Sequence, residues 1–230
     1  MMKKIIITGV KGGTGKSLIS FLLLRELVNT KRVLFIDLDN TLTVTRLLGI
    51  LHLDDIFNND YNISSWTYKN VSIIPLGVAN QGKLQEFPKA YMDLVEDKDI
   101  IMIDSSNITN PVLSFEAKLS PQSELDLILV TTPQSISLKR TIDTLLSFKT
   151  IYPIAPLQKL VVLNMAKEEV QELPNNIPFV KIPFIKELFL KGISAESCEY
   201  PSILASIRDI LYILGLTKIL GDNNGNKRVY

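Results

Sequence analysis

Cysteine is nearly missing from this chain. Cys198 is the single one among 230 residues, so no internal disulfide can form, and no CxxC pair exists to hold zinc or an iron–sulfur cluster. That usage fits a reducing, cytoplasmic compartment. Histidine is just as scarce: His52 stands alone and reads as structural, not catalytic. There is almost no net charge either. The 25 basic side chains face 24 acidic ones, leaving +1, which excludes a strong field of either sign. Binding to nucleic acid would have to come from a local basic patch. No apolar run is long and clean enough to span a bilayer. The opening Ile5-Ile6-Ile7 ends at Thr8-Gly9, too soon for a signal peptide, and reads as a first buried strand. There is no internal repeat and no linker long enough to separate domains.

What is present is an ordinary globular composition, 46% hydrophobic and 21% charged. Short Ile/Val/Leu runs alternate with longer amphipathic segments. Strands are predicted at Lys3–Thr8, Arg32–Ile36, Val71–Pro75, Asp99–Ile103, Leu125–Thr131, Lys159–Leu163 and Phe179–Ile182. Several are apolar at consecutive positions, as strands are when helices cover both faces of a parallel sheet. Helices are predicted at Ser17–Asn29, Thr43–Leu48, Gly82–Val95, Pro111–Leu119, Ser135–Thr150, Ile185–Lys191 and Ser202–Leu220, with Pro88 casting doubt on the middle of the third. Asn110-Pro111 is a helix start, a cap residue before a first-turn proline. The alternation implies an α/β fold: a single doubly wound, mostly parallel sheet flanked by helices. Residues 1–220 read as one domain, and 221–230, rich in Gly and Asn, as a polar flexible tail.

The turn between the first strand and the first helix carries the chemistry. It reads Gly9-Val10-Lys11-Gly12-Gly13-Thr14-Gly15-Lys16-Ser17. The general phosphate-loop pattern is G-x-x-x-x-G-K-[ST]. Val10 occupies the place of its first glycine, and Gly9 stands one residue early. The physical parts are present all the same. Gly12, Gly13 and Gly15 let backbone N–H groups turn inward toward phosphate oxygens. Lys16 supplies a cation for the β- and γ-phosphates. Ser17 can ligate Mg²⁺ at the start of a helix whose dipole favours the anion. With Thr14 and Leu18, this stretch is the candidate nucleotide cradle. Asp99-Ile100-Ile101-Met102-Ile103-Asp104 is an apolar run ending in an acid, the pattern in which Asp104 holds Mg²⁺ through water.

Lys11 narrows the class. Lys11-Gly12-Gly13-Thr14-Gly15-Lys16-Ser17 resembles the deviant Walker A loop of the ParA/MinD family of ATPases, most closely the ParA partitioning proteins. The resemblance runs from about Lys3 to Pro183. It implies ATP and Mg²⁺ as ligands and a homodimer on ATP binding, in which Lys11 reaches the partner's nucleotide. Asp37-Leu38-Asp39 matches the family's D-x-D, which implies Asp37 beside the magnesium shell and Asp39 positioning or activating the attacking water. The family continues with Pro-Gln; here Asn40-Thr41 follows. Ser105-Ser106-Asn107 replaces the usual Pro- or Gly-rich second switch, which implies a different response to ATP or slow hydrolysis. Asn164 resembles the family's adenine-reading asparagine, and Pro183 the proline over the base. Pro133 resembles the one that fixes the strand-to-helix turn.

Two platforms for such an ATPase stand open. A ParA-like chain would bind DNA non-specifically, with a ParB-like protein stimulating hydrolysis, and would associate with the nucleoid. Lys139, Arg140, Lys181, Lys186, Lys191, Arg208 and Lys218 would supply that contact, or are scattered solvated charges. Without a helix-turn-helix segment ahead of the first strand, it would be the short form. A MinD-like, membrane-cycling chain would need Ser202–Leu220 as a basic amphipathic helix, but its apolar residues read as core packing, and no stable membrane insertion is expected. A metal-cofactor assembly ATPase lacks the expected cysteine pair, unless a dimer juxtaposes two copies of Cys198. A ligase or kinase related to dethiobiotin synthetase would need a substrate set that is not identifiable.

Overall fold

The computed structural model describes residues 2–50, 66–77, 81–167, 173, 176–192 and 200–217. His52, Cys198, Lys218 and the expected tail lie outside them, as do the side chains of Trp66–Tyr68, residues 81–83 and Lys191. The strands are β1 (Lys3–Thr8), β2 (Val33–Leu38), β3 (Trp66–Tyr68), β4 (Val71–Pro75), β5 (Ile100–Ser105), β6 (Glu124–Thr131), β7 (Gln158–Ala166) and β8 (Phe179–Pro183). The helices are α1 (Lys16–Leu27), α2 (Thr43–Leu47), α3 (Gln81–Val95), α4 (Pro111–Leu119), α5 (Ser135–Ile151), α6 (Lys186–Lys191) and α7 (Pro201–Ile213).

The strands form one sheet in the order β3-β4-β2-β5-β1-β6-β7-β8. Every neighbouring pair is parallel except the edge pair β3–β4. Alternating side chains feed two cores. Ile5, Ile7, Val33 and Phe35 pack with α1 and α7. Ile6, Leu34 and Ile36 pack on the other face with Phe87 and Tyr91 of α3, Leu113 of α4, and Leu145 and Phe148 of α5. Both faces are covered, which is why the strands read as unbroken apolar runs.

Four expectations need correction. Strand β2 runs on to Leu38, because Asp37 and Leu38 pair with Asp104 and Ser105 of β5, so Asp37 lies inside the strand and not beyond it. Helix α3 passes through Pro88 unbroken. An interior proline costs about 3 kcal/mol, and the buried Phe87 and Tyr91 on either side of it offset that cost. The edge strand β3 was not expected; at three residues it is too short to show a period. The last helix ends at Ile213, and the chain turns through Leu214 and Gly215. Asn110 does cap α4, its side chain accepting the Val112 N–H at 3.0 Å ahead of Pro111.

Candidate functional site

Three strand-to-helix connections converge at the C-terminal edge of the sheet, after β1, β2 and β5. Strand β5 sits between β1 and β2, so the chain crosses over it on leaving β1. Ligands of open α/β sheets bind at this edge.

The loop between β1 and α1 is held from below. Gly15 has φ 87°, and a Cβ there would lie 2.1 Å from Asn164 Nδ2. That amide donates to the Thr14 carbonyl at 2.9 Å. Any side chain at position 15 would expel it. Gly9 is equally constrained: a Cβ would meet the Val130 carbonyl of β6 at 2.7 Å. The glycine one place early is therefore the packing contact between loop and sheet. Thr14 and Lys16 are buried, while Lys11, Gly12 and Gly13 are exposed. Thr14 Oγ1 and Lys16 Nζ both reach the Lys11 carbonyl at 3.5 Å. One long bond leaves an ammonium taken out of water with donor capacity unspent. Helix α1 begins at Lys16, so Ser17 lies in its first turn. Leu18 is 5% exposed and packs in the core, so only its backbone faces the loop.

Asp37 and Asp104 stand at the same register on adjacent strands, and both are fully buried. Asp37 Oδ2 accepts from Thr45 Oγ1 at 2.7 Å and Thr45 N–H at 3.1 Å, and Oδ1 accepts from the Asp39 N–H at 3.2 Å. Burial pushes Asp37 up to about 7, against these hydrogen bonds and with help from the nearby Asp39. Asp104 is pushed well above the usual carboxylate range by burial first, then by Asp37 and Asp39. Ser17 and Lys16 pull the other way, yet neither Asp104 oxygen is in hydrogen-bonding geometry with any partner. Asp39, half-buried, accepts at Oδ2 from the Thr41 hydroxyl and from the Thr43 hydroxyl at 3.1 Å.

This donor set suits a small, hard divalent cation bound with phosphate. Magnesium takes one or two carboxylates and fills its shell with water and phosphate oxygens instead of an all-protein cage. Among the described residues, no three His, Cys, Asp or Glu side chains form such a cage. The unbonded oxygens of Asp104, with the Ser17 hydroxyl, are what would hold the ion.

Other expected residues fall elsewhere. Asn164 is buried beneath the loop, its amide committed to Thr14. Pro183 pairs with Ala166, past an irregularity after Leu163 where Met165 takes φ 61°. Ser105-Ser106-Asn107, expected as the second switch, form a compact turn: the Ser105 hydroxyl donates to the Asn107 carbonyl at 2.7 Å, and Thr109 to Asn107 Oδ1 at 3.0 Å. Lys139, Arg140, Lys181, Lys186 and Arg208 are exposed on α5, β8, α6 and α7. The sequence reading missed Thr41, Thr43 and Thr45. Their signal was three hydroxyls in five residues just after the paired aspartates.

No curated protein sequence matches the chain. Solved structures do share the fold. The MinD protein of Pyrococcus horikoshii, complexed with Mg-ADP, is 24% identical with TM-score 0.61, covering 95% of this chain and 100% of that one. A plasmid partition protein of Borrelia burgdorferi bound to AMPPNP is 17% identical with TM-score 0.63, covering 93% and 98%. The ATP complex of a Cyanothece McdA variant is 17% identical with TM-score 0.63, covering 96% and 99%. A family model described as the CobQ/CobB/MinD/ParA nucleotide binding domain matches residues 5–196, and with the loop and paired acids in place the chain belongs to that family.

Proposed function

We propose that the chain is an ATP hydrolase that binds ATP with Mg²⁺, dimerises in that state, and then binds DNA without sequence preference to partition chromosomes or plasmids. The observation that carries this is the unspent hydrogen-bonding capacity under the loop: a buried Lys16 with spare donors beside a buried Asp104 whose oxygens have no hydrogen bond. Backbone N–H groups from Gly12 to Leu18 and the Lys16 ammonium bind the phosphates. Ser17 and Asp104 would hold Mg²⁺, which would neutralise phosphate charge there, with Asp37 beside them and kept in place by Thr45. Asp39 orients the attacking water and takes its proton. Lys11, exposed on the loop, reaches the partner's nucleotide across the dimer. Asn164 supports the loop from beneath through its bond to the Thr14 carbonyl.

The likeness to a plasmid partition protein supports the partitioning reading. So does α7, whose Ile203, Ile207, Ile210 and Leu211 are buried against the core, so that this helix is not free to act as a membrane anchor. Among the described residues, no helix is long and apolar enough to cross a membrane. Exposed Lys139, Arg140, Lys181 and Lys186 supply the phosphate contacts, and a ParB-like protein stimulates turnover.

Lys16→Ala tests the centre of the proposal: binding of a fluorescent ATP analogue and turnover should both be lost, and normal turnover would sink it. Asp39→Ala should trap an ATP-bound dimer, visible by light scattering. A gel-shift series in salt, with and without ATP, tests the platform. Binding should need ATP and fall steeply with salt; recruitment to liposomes without DNA binding would select the membrane-cycling alternative.

A further inference from the structure

We propose that Thr41 and Thr43 are positioning residues that aim the Asp39 carboxylate. The inference rests on the reading of Asp39 as the group that orients the attacking water. Asp39 is the first residue past β2 and is half-exposed, where a free aspartate would sample several rotamers. Here two hydroxyls, those of Thr41 and Thr43, both face the same oxygen, Oδ2, at hydrogen-bonding distance. The two hydroxyl oxygens are also 2.6 Å from one another, so the three oxygens share two hydroxyl protons in one cluster. Among the described residues, Oδ1 accepts no hydrogen bond. One oxygen is gripped and the other is left without a hydrogen bond from the described residues. Asp37 differs, because donors occupy both its oxygens.

The backbone is shaped to this end. Leu42 lies between the two threonines with φ 47°, a left-handed conformation costly for a branched side chain. Its side chain is fully buried, which holds it there. The Leu42 N–H donates to the Asp39 carbonyl at 2.9 Å, and Arg46 Nε donates to the Thr41 carbonyl at 3.0 Å. The turn is closed at both ends and returns both hydroxyls to the carboxylate. Helix capping does not explain the arrangement: α2 has Leu42 as its cap residue with no side-chain cap bond, and Asp39 takes side-chain hydroxyls, not N–H groups of α2.

The test is ATP turnover by Thr41→Val, Thr43→Val, the double variant, and the matching serine pair. Valine keeps the branched shape and deletes the hydroxyl; serine keeps the hydroxyl. The double valine variant should lose about tenfold in kcat, a fraction of what a general base contributes, with KM for ATP unchanged. The serine pair should retain wild-type kcat. Unchanged kcat in the double valine variant, a loss that appears in KM, or a serine pair as impaired as the valine pair would each overturn the proposal. Turnover that survives Lys16→Ala would instead overturn the reading of the site on which it rests.

Discussion

Glu116 and Asp104 are both acids with no exposure to solvent, and the fold treats them in opposite ways. Glu116, on α4, meets Lys4 of β1 at 2.7 Å and accepts from the hydroxyls of Tyr91 at 2.7 Å, Ser120 at 2.8 Å and Tyr152 at 3.4 Å. Lys4, its pKa lowered by burial and supported by Glu116, also donates to the Ser120 carbonyl at 3.4 Å. Five residues from β1, α3, α4 and the segments after α4 and α5 complete one network. Asp104, at the C-terminal edge of the same sheet, has none of this: a second buried carboxylate stands beside it and both its oxygens are unbonded. The chain is able to satisfy a buried carboxylate, as it does at Glu116. Among the described residues, none gives either Asp104 oxygen a hydrogen bond. Burying a carboxyl group without hydrogen bonds is costly, and the proposed Mg²⁺ would supply the partner that the described residues do not.

The largest expected effect breaks the satisfied side. Glu116→Ala strands Lys4 in the core and should destabilise the chain by about 3–5 kcal/mol, read from denaturant midpoints. Turnover of the folded fraction should not change, and a loss of turnover would erase the contrast between the two regions. Asp104→Asn attacks the other side. Turnover should fall on the order of 100-fold, while the nucleotide-free chain gains about 1 kcal/mol, since an unpaired amide is cheaper to bury than an unpaired carboxylate. A stability loss would mean that Asp104 has a structural partner after all.

A smaller effect comes from pH. Asp37 sits at about 7 in the fold against an ordinary 3.8. A carboxylate raised in this way favours the folded state while it is protonated. That contribution is complete below about 4 and is lost as pH rises through about 7. Without nucleotide and Mg²⁺, the chain should therefore be less stable at pH 8.5 than at pH 5.5, by roughly 2 kcal/mol. Adding both should flatten the profile, and a flat profile without them would contradict the burial argument. The smallest effect is the double change Lys4→Met with Glu116→Leu. Both charges leave together, so it should cost only about 1–2 kcal/mol, mainly for the orphaned Tyr91 hydroxyl.

The loop was legible because its chemistry is contiguous: glycines, Lys16 and Ser17 sit side by side between an Ile-rich strand and an apolar helix. Asp104 was legible as the end of an apolar run. Asp37 was found, but its setting was misjudged, because the length of β2 depends on pairing with Ser105, far along the chain. Pro88 carried a local signal against a helix, and burial on both sides of it prevailed. Asn164 was visible as a strand-end asparagine, yet its contact is with Thr14 and Gly15, 150 positions away from Thr14. The threonines after Asp39 looked like loop filler because only a left-handed Leu42, itself fixed by the core, folds them back.

By itself, the sequence determined the phosphate loop, the order of its acids and the alternation that makes a covered parallel sheet. These are properties of neighbouring residues and of period. Only the tertiary structure decided which acids are paired and which are left hungry, which asparagine props the loop and which hydroxyls aim Asp39. The reason is that desolvation and hydrogen-bond partnership depend on what is packed nearby, and the packing around Asp104, Glu116 and Gly15 comes from segments scattered along the chain.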